Sequence, residues 1–127
     1  MVKCFFDDLG TSGTSLHQKS ASSTRVEVVP FDSFVEKHLP EENVGFIKMD
    51  IEGSEIRAVR GAENTITKNR PVMSISIYHN PYDFFEIKPI IESWGIDYKF
   101  MVRKLSLEYE YTPFIDTVLL AYPAELE

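Results

Sequence analysis

From about residue 24 onward, the apolar positions fall into short blocks whose spacing switches between a strand-like and a helix-like period. Arg25-Val26-Glu27-Val28-Val29 is rich in β-branched residues and ends at Pro30, which predicts a strand. Ser33 and Glu36 have capping-box spacing and predict a short helix from Ser33 to about residue 39. Residues 44–51 are nearly continuous in apolar content, the pattern of a strand buried on both faces. Gly53-Ser54 turns the chain into a helical pattern over 55–69, with Ile56, Val59 and Ile66 on one side and an interruption at Gly61. A strand over 72–78 follows Pro71, and Asn80-Pro81 marks a turn. Phe84, Ile87, Ile91 and Trp94 then recur at helical spacing over 83–94. Pro89 is expected to kink or split that helix, and Gly95 suits the position just past its end. Two last strands are predicted over 98–102 and 115–122.

The alternation of strands and helices predicts an α/β fold with a mostly parallel sheet. The last two strands have no helix between them, so they form a hairpin and one of them is antiparallel to the rest. Ahead of this regular part, residues 1–24 hold one apolar run, Val2–Phe6, and Gly/Ser/Thr-rich loops. Residues 25–123 make the domain, and 124–127 read as a tail whose last two residues, Leu126-Glu127, resemble a cloning remnant. The segment 103–114, with Tyr109 and Tyr111 among charges, is expected to be a flap between the last two strands.

Composition narrows the function classes. The 127 residues are 43% hydrophobic, enough to bury a core in one domain. Thirteen Lys+Arg against 20 Asp+Glu give a net charge of −7. That argues against binding nucleic acid through its phosphates and against docking on an anionic membrane. A single cysteine, Cys4, rules out an internal disulfide and fits a cytoplasmic setting. No apolar run is long enough for a membrane span, and Asp7 and Asp8 fall where a signal peptide would be apolar.

The most unusual segment is Lys48-Met49-Asp50-Ile51-Glu52-Gly53-Ser54-Glu55, where an apolar strand runs into charges at its carboxyl end. Lys48, Asp50 and Glu52 alternate, so they share a face while the strand lasts. A lysine in a buried strand needs a carboxylate partner, and Asp50 or Glu55 is in reach. Glu55 falls in the first helical turn, where the helix dipole favours it. Ligands of open α/β sheets bind at the carboxyl ends of strands. His79 closes the next strand, so His79 and Asp50 are expected on one rim, where a histidine beside a carboxylate is a candidate general base. The plainer readings stay open: Lys48–Asp50 as a structural ion pair, Glu52 and Glu55 as a solvated cap, and His79 as an exposed turn residue. Asp50, Glu52 and His79 are also metal-type ligands, but no recognised metal spacing supports a site and none is expected. His17, His38 and Cys4 lack such settings. No Gly-x-Gly-x-x-Gly, P-loop or Gly-x-Ser-x-Gly motif occurs.

The segment Phe46 to Glu55, followed by Val59-Arg60-Gly61-Ala62, resembles the Lys-x-Asp-x-Glu-Gly-x-Glu…Gly-Ala signature of FkbM-type methyltransferases. Arg70-Pro71 with its apolar strand, the upstream Val29-Pro30-Phe31-Asp32-Ser33-Phe34 and the closing Thr117 to Pro123 are similar to the family as well. The resemblance implies the carboxyl-terminal half of a class I, Rossmann-like methyltransferase sheet with strand order 3-2-1-4-5-7-6. The strands at 44–50, 72–78, 98–102 and 115–122 would then be strands 4, 5, 6 and 7. It also implies S-adenosylmethionine as cofactor and a hydroxyl of a sugar or secondary metabolite as methyl acceptor, with Asp50 or His79 orienting or deprotonating it. The family's strand 1, glycine-rich loop and strand-2 acidic residue have no match here. The chain alone is therefore expected to be inactive and not to bind the cofactor. The edge of strand 4 would need cover from 2–6, from 26–29 or from a second copy of the chain. The alternative is a non-catalytic α/β interaction module.

Overall fold

The computed structural model describes residues 2–6, 24–105 and 114–126. β1 (Val2–Phe6) and β2 (Thr24–Val28) pair antiparallel as a two-stranded sheet of their own. The second sheet has four strands in the order β3-β4-β6-β5. These are β3 (Phe46–Met49), β4 (Val72–Ser76), β5 (Tyr98–Lys104) and β6 (Thr117–Pro123). Helices α1 (Phe31–His38), α2 (Glu55–Arg60), α3 (Glu63–Asn69) and α4 (Pro81–Ser93) connect and cover them.

The expected order of the last four strands holds, but the sheet is mixed rather than mostly parallel. β3 and β4 are the one parallel pair among the described strands, whereas β6 is antiparallel to both β4 and β5. The reason is position. β6 inserts between two strands that run the same way, so one reversed strand makes two antiparallel ladders.

The β3 strand is half-buried, not buried on both faces. Ile47 and Met49 point into the core while Phe46 and Lys48 face solvent. Met73 and Ile75 of β4, Val59 of α2, Ile66 of α3, and Ile87 and Ile91 of α4 are all fully buried in the same cluster. The helical pattern over 55–69 is divided at Gly61 and Ala62. A Cβ on Gly61 would lie 3.3 Å from the Arg57 carbonyl oxygen and 3.5 Å from Pro30, so the small residue lets α1 approach.

Two local expectations fail for identifiable reasons. Ser33 does not open α1; the helix starts two residues earlier, after Pro30. Asp32 instead reaches across to α3, where it accepts from the N–H of Asn64 (2.9 Å), the N–H of Thr65 (2.8 Å) and the Thr65 hydroxyl (2.7 Å). It thus serves as the cap of a different helix. Pro89 does not split α4, which runs unbroken. Pro89 and Phe85, the pair whose backbone bond is lost, both lie on the exposed side, where water can satisfy the carbonyl. The loops over 7–23 and the flap expected over 103–114 lie wholly or largely outside the described residues.

The tail is engaged. Glu125, in a short 3-10 turn, accepts two bonds from the Arg70 guanidinium, the shorter at 2.6 Å. Arg70 also donates to the carbonyls of Ile96 and Asp97. It lies 5.6 Å from the centre of the Tyr98 ring. The Tyr98 hydroxyl donates to the Pro71 carbonyl, and burial pushes the phenol up to about 12.

Candidate functional site

The site follows from the parallel pairing of β3 with β4. Lys48 stands opposite Ser74 and Met49 opposite Ile75, so the next residues, Asp50 and Ser76, emerge side by side at the carboxyl ends. The Ser76 hydroxyl donates to Asp50 Oδ1 at 3.0 Å. His79 follows three residues later and completes the rim that the sequence predicts.

Between β3 and α2 the backbone passes through the left-handed region twice, at Glu52 (φ 55°) and Gly53 (φ 89°). This sharp turn points the first helical residue, Glu55, back into the protein, where it is fully buried. Its Oε1 accepts from the Ile51 N–H (2.9 Å) and its Oε2 from the Gly53 N–H (2.8 Å). A carboxylate at a helix start is also favoured by the dipole. Glu55 is therefore the internal anchor of the turn and not the solvated cap of the plainer reading.

Glu55 Oε1 also lies 2.9 Å from His79 Nδ1. Because a carboxylate can only accept, the proton of this bond sits on Nδ1, and in the neutral imidazole the lone pair then falls on Nε2. Nε2 faces Asp50 Oδ1 at 3.6 Å and Glu52 Oε2 at 3.7 Å. The imidazole is 9% exposed, so it is not an exposed turn residue. The Tyr78 ring stacks against it with centroids 4.1 Å apart. Burial, then the charge of Asp50, raises the Tyr78 phenol above its ordinary pKa.

Lys48 does pair with Asp50, Nζ to Oδ2 at 3.3 Å, but its side chain is 65% exposed. The expected buried pair is a surface one, because Lys48 lies on the solvent side of a half-buried strand. Of the five residues singled out from the sequence, Asp50, Glu52, Glu55 and His79 converge, and Lys48 stands at the margin. His38 lies at the exposed end of α1 against Phe34.

Asp83 is a site residue that the sequence reading missed. Asn80 caps α4 by accepting the Tyr82 N–H at 3.0 Å, and Pro81 takes the first helical position. Asp83, two residues on, is 1% exposed; the backbone N–H of Asn80 lies near its carboxylate, but no hydrogen bond of full geometry reaches either oxygen. Burial, and next the charge of Glu55, push its pKa from the ordinary 3.8 to about 6, with His79 pulling the other way. The signal was present: Asn80-Pro81 followed by Asp83 has the spacing of a helix cap with an acid at the third helical position.

A cleft of about 740 Å³ opens beside the rim, lined by Glu52, Gly53, Arg57, His79, Tyr82 and Asp83 among others. An apolar pocket of about 280 Å³, walled by Ile77, Tyr78, Phe84, Phe85 and Phe114, shares Asn80 and Pro81 with it. The site thus combines an electron-rich polar rim with an aromatic slot. Chemically, the rim can orient a hydroxyl, take a proton at Nε2 or hold a cation.

Comparison with known proteins identifies the family and the fold. Residues 4–114 match the family described as the Methyltransferase FkbM domain. The fold is similar to the crystal structure of methyltransferase FkbM from Methylobacillus flagellatus KT, with a TM-score of 0.64 and 33% identity. The similarity covers 77% of this chain and 24% of that one, so the matched region spans about a quarter of that protein's length. No curated protein matches the chain.

Proposed function

The chain belongs to the FkbM methyltransferase family, and we propose from that premise that it supplies the acceptor side of an S-adenosylmethionine-dependent O-methyltransferase. The acceptor is a hydroxyl of a sugar or secondary metabolite. The observation that carries this reading is the buried Glu55–His79 pair, which turns the free Nε2 toward the rim. A hydroxyl placed there meets Nε2 as a proton acceptor and Asp50 as an orienting acceptor. Ser76 holds Asp50 in place. Taking the proton as the oxygen attacks contributes about 10²–10⁴-fold.

The described residues do not fit the cofactor by themselves. Gly53 is their one glycine in a turn leading from a strand into a helix. The N–H groups of Ile51 and Gly53 in that turn are taken by Glu55, so they are spent inside the protein and not offered to a ligand. The same filled turn is what favours the second reading, an interaction module without catalysis.

Two measurements separate the readings. Calorimetric titration of this chain with S-adenosylmethionine is expected to show no saturable binding tighter than about 100 μM. Methyl transfer to hydroxyl acceptors, assayed on the whole gene product, is expected to fall by about 10²–10⁴-fold in His79→Gln with cofactor affinity unchanged. Undiminished transfer in that variant would remove His79 from the chemistry.

A further inference from the structure

We propose that the rim of His79, Asp50 and Glu52 binds a divalent first-row metal ion, with His79 Nε2 as the nitrogen ligand and Glu55 holding the imidazole from behind. Sequence spacing gives no hint of this, because the groups come from three places: the end of β3, the turn after it and the segment after β4. Only the parallel pairing of β3 and β4 brings them together.

The geometry is close to that of ligands around an ion. Two metal–ligand bonds of about 2.1 Å, meeting at tetrahedral or octahedral angles, put their donor atoms about 3.0–3.4 Å apart. Nε2 stands slightly wider, 3.6 Å from Asp50 Oδ1 and 3.7 Å from Glu52 Oε2, so a bound ion would draw the carboxylates in by a few tenths of an ångström. These separations are too long for hydrogen bonds. Asp50, Glu55 and His79 each offer a donor atom within 4.8 Å of the others. The Nδ1 bond to Glu55 is the arrangement that fixes a metal-binding histidine, with Nε2 of the neutral ring aimed outward as the ligand atom. Lys48 occupies Asp50 Oδ2, the oxygen on the other side, while Oδ1, which also accepts from the Ser76 hydroxyl, is turned to the histidine.

Asp83 adds to the negative charge beside the rim. Its carboxylate is buried to 1% exposure with no hydrogen bond of full geometry to either oxygen, and it lines the same cleft as Glu52 and His79. Buried polar groups are as a rule satisfied, and a second acid beside Glu55 leaves the site short of positive charge. One imidazole with carboxylates selects Mn²⁺, Fe²⁺ or Zn²⁺ over Ca²⁺, which prefers oxygen ligands alone.

This inference stands on the rim's geometry and not on methyl transfer. Where both hold, ion binding commits the Nε2 lone pair, and acidifying an acceptor hydroxyl falls to the ion. The test is calorimetric titration of the chelator-treated chain with MnCl₂ and with ZnCl₂. Saturable binding is expected, weakened about 10–100-fold by Asp50→Asn, by His79→Gln and by Glu55→Gln, and unchanged in His38→Gln. Pulsed electron paramagnetic resonance of Mn²⁺ on the unaltered chain is expected to show coupling to an imidazole nitrogen, which needs no variant to fold. Absence of saturable binding, a Mn²⁺ spectrum without nitrogen coupling, or affinity undiminished in a folded Asp50→Asn protein would each overturn the proposal.

Discussion

Glu55 and His79, 24 residues apart in the chain, meet at 2.9 Å through a carboxylate that is fully removed from solvent. One side chain thereby does two jobs. It closes the turn after β3 by accepting the Ile51 and Gly53 N–H groups, and it sets which nitrogen of His79 carries the proton.

That dual role is testable by a double-mutant cycle. Glu55→Gln keeps the shape but gives up one of the two accepting oxygens, leaving a buried donor unpaired. It is expected to destabilise the chain by about 1–3 kcal/mol in chemical denaturation. The Glu55/His79 coupling energy should fall at about 0.5–3 kcal/mol. Strict additivity of Glu55→Gln and His79→Ala would mean that the two groups do not act on each other.

Lys48→Met separates a buried from a surface ion pair. A lysine within a strand buried on both faces would cost about 1–3 kcal/mol to replace. The exposed position of Lys48 instead predicts a change within about 0.5 kcal/mol. Melting curves at low and high salt check this, and only a small salt-dependent difference is expected.

Asp83 makes stability depend on pH in the direction opposite to a salt-bridged carboxylate. Its folded pKa of about 6 exceeds its ordinary 3.8, so the folded state holds the proton more tightly. Stability is therefore favoured at low pH and is lost as pH rises from about 4 through 6. The penalty above that window is about 1–3 kcal/mol. Asp83→Asn removes the titration, so its stability relative to the unaltered chain should improve between pH 4 and pH 7. Parallel unfolding curves for the two proteins across that range would show that Asp83 is already ionised when folded.

The edge of β3 makes a prediction about association. Among the described residues β3 pairs on one side only, with β4, and β1 and β2 pair with each other instead of covering it. The Gly45 carbonyl accepts from Val72, so the backbone groups of Phe46 point to the open side, and the Phe46 side chain is 61% exposed. Such an edge is a template for a further strand. Sedimentation of the chain should therefore depend on concentration. Phe46→Pro, which removes an outward N–H and leaves the ladder to β4 intact, should shift it to monomer. A monomer at all concentrations in the unaltered chain would count against a sticky edge.

The local elements were written plainly in the sequence. β-branched runs after Pro71 and helical spacing after Asn80 gave β4 and α4, and the lack of a helix between the last strands gave the β5–β6 hairpin. Asp50 and His79 could be placed on one rim because parallel strands in a βαβ unit end on the same side. What tertiary structure alone decided were quantities that depend on neighbours distant in sequence. Whether Lys48 is buried depends on what covers the second face of β3, and the mixed character of the sheet depends on where β6 inserts. The sites of Glu55 and Asp83 were decided in the same way. A carboxylate at a helix start reads as solvated from sequence, since that is its cheapest setting. Burying Glu55 becomes tolerable only when a left-handed turn supplies two N–H groups and β4 delivers a histidine. Asp83 received no such set of partners: the Asn80-Pro81 spacing marks it as an acid in the first helical turn, but only the packing of α4 decided that its carboxylate is buried.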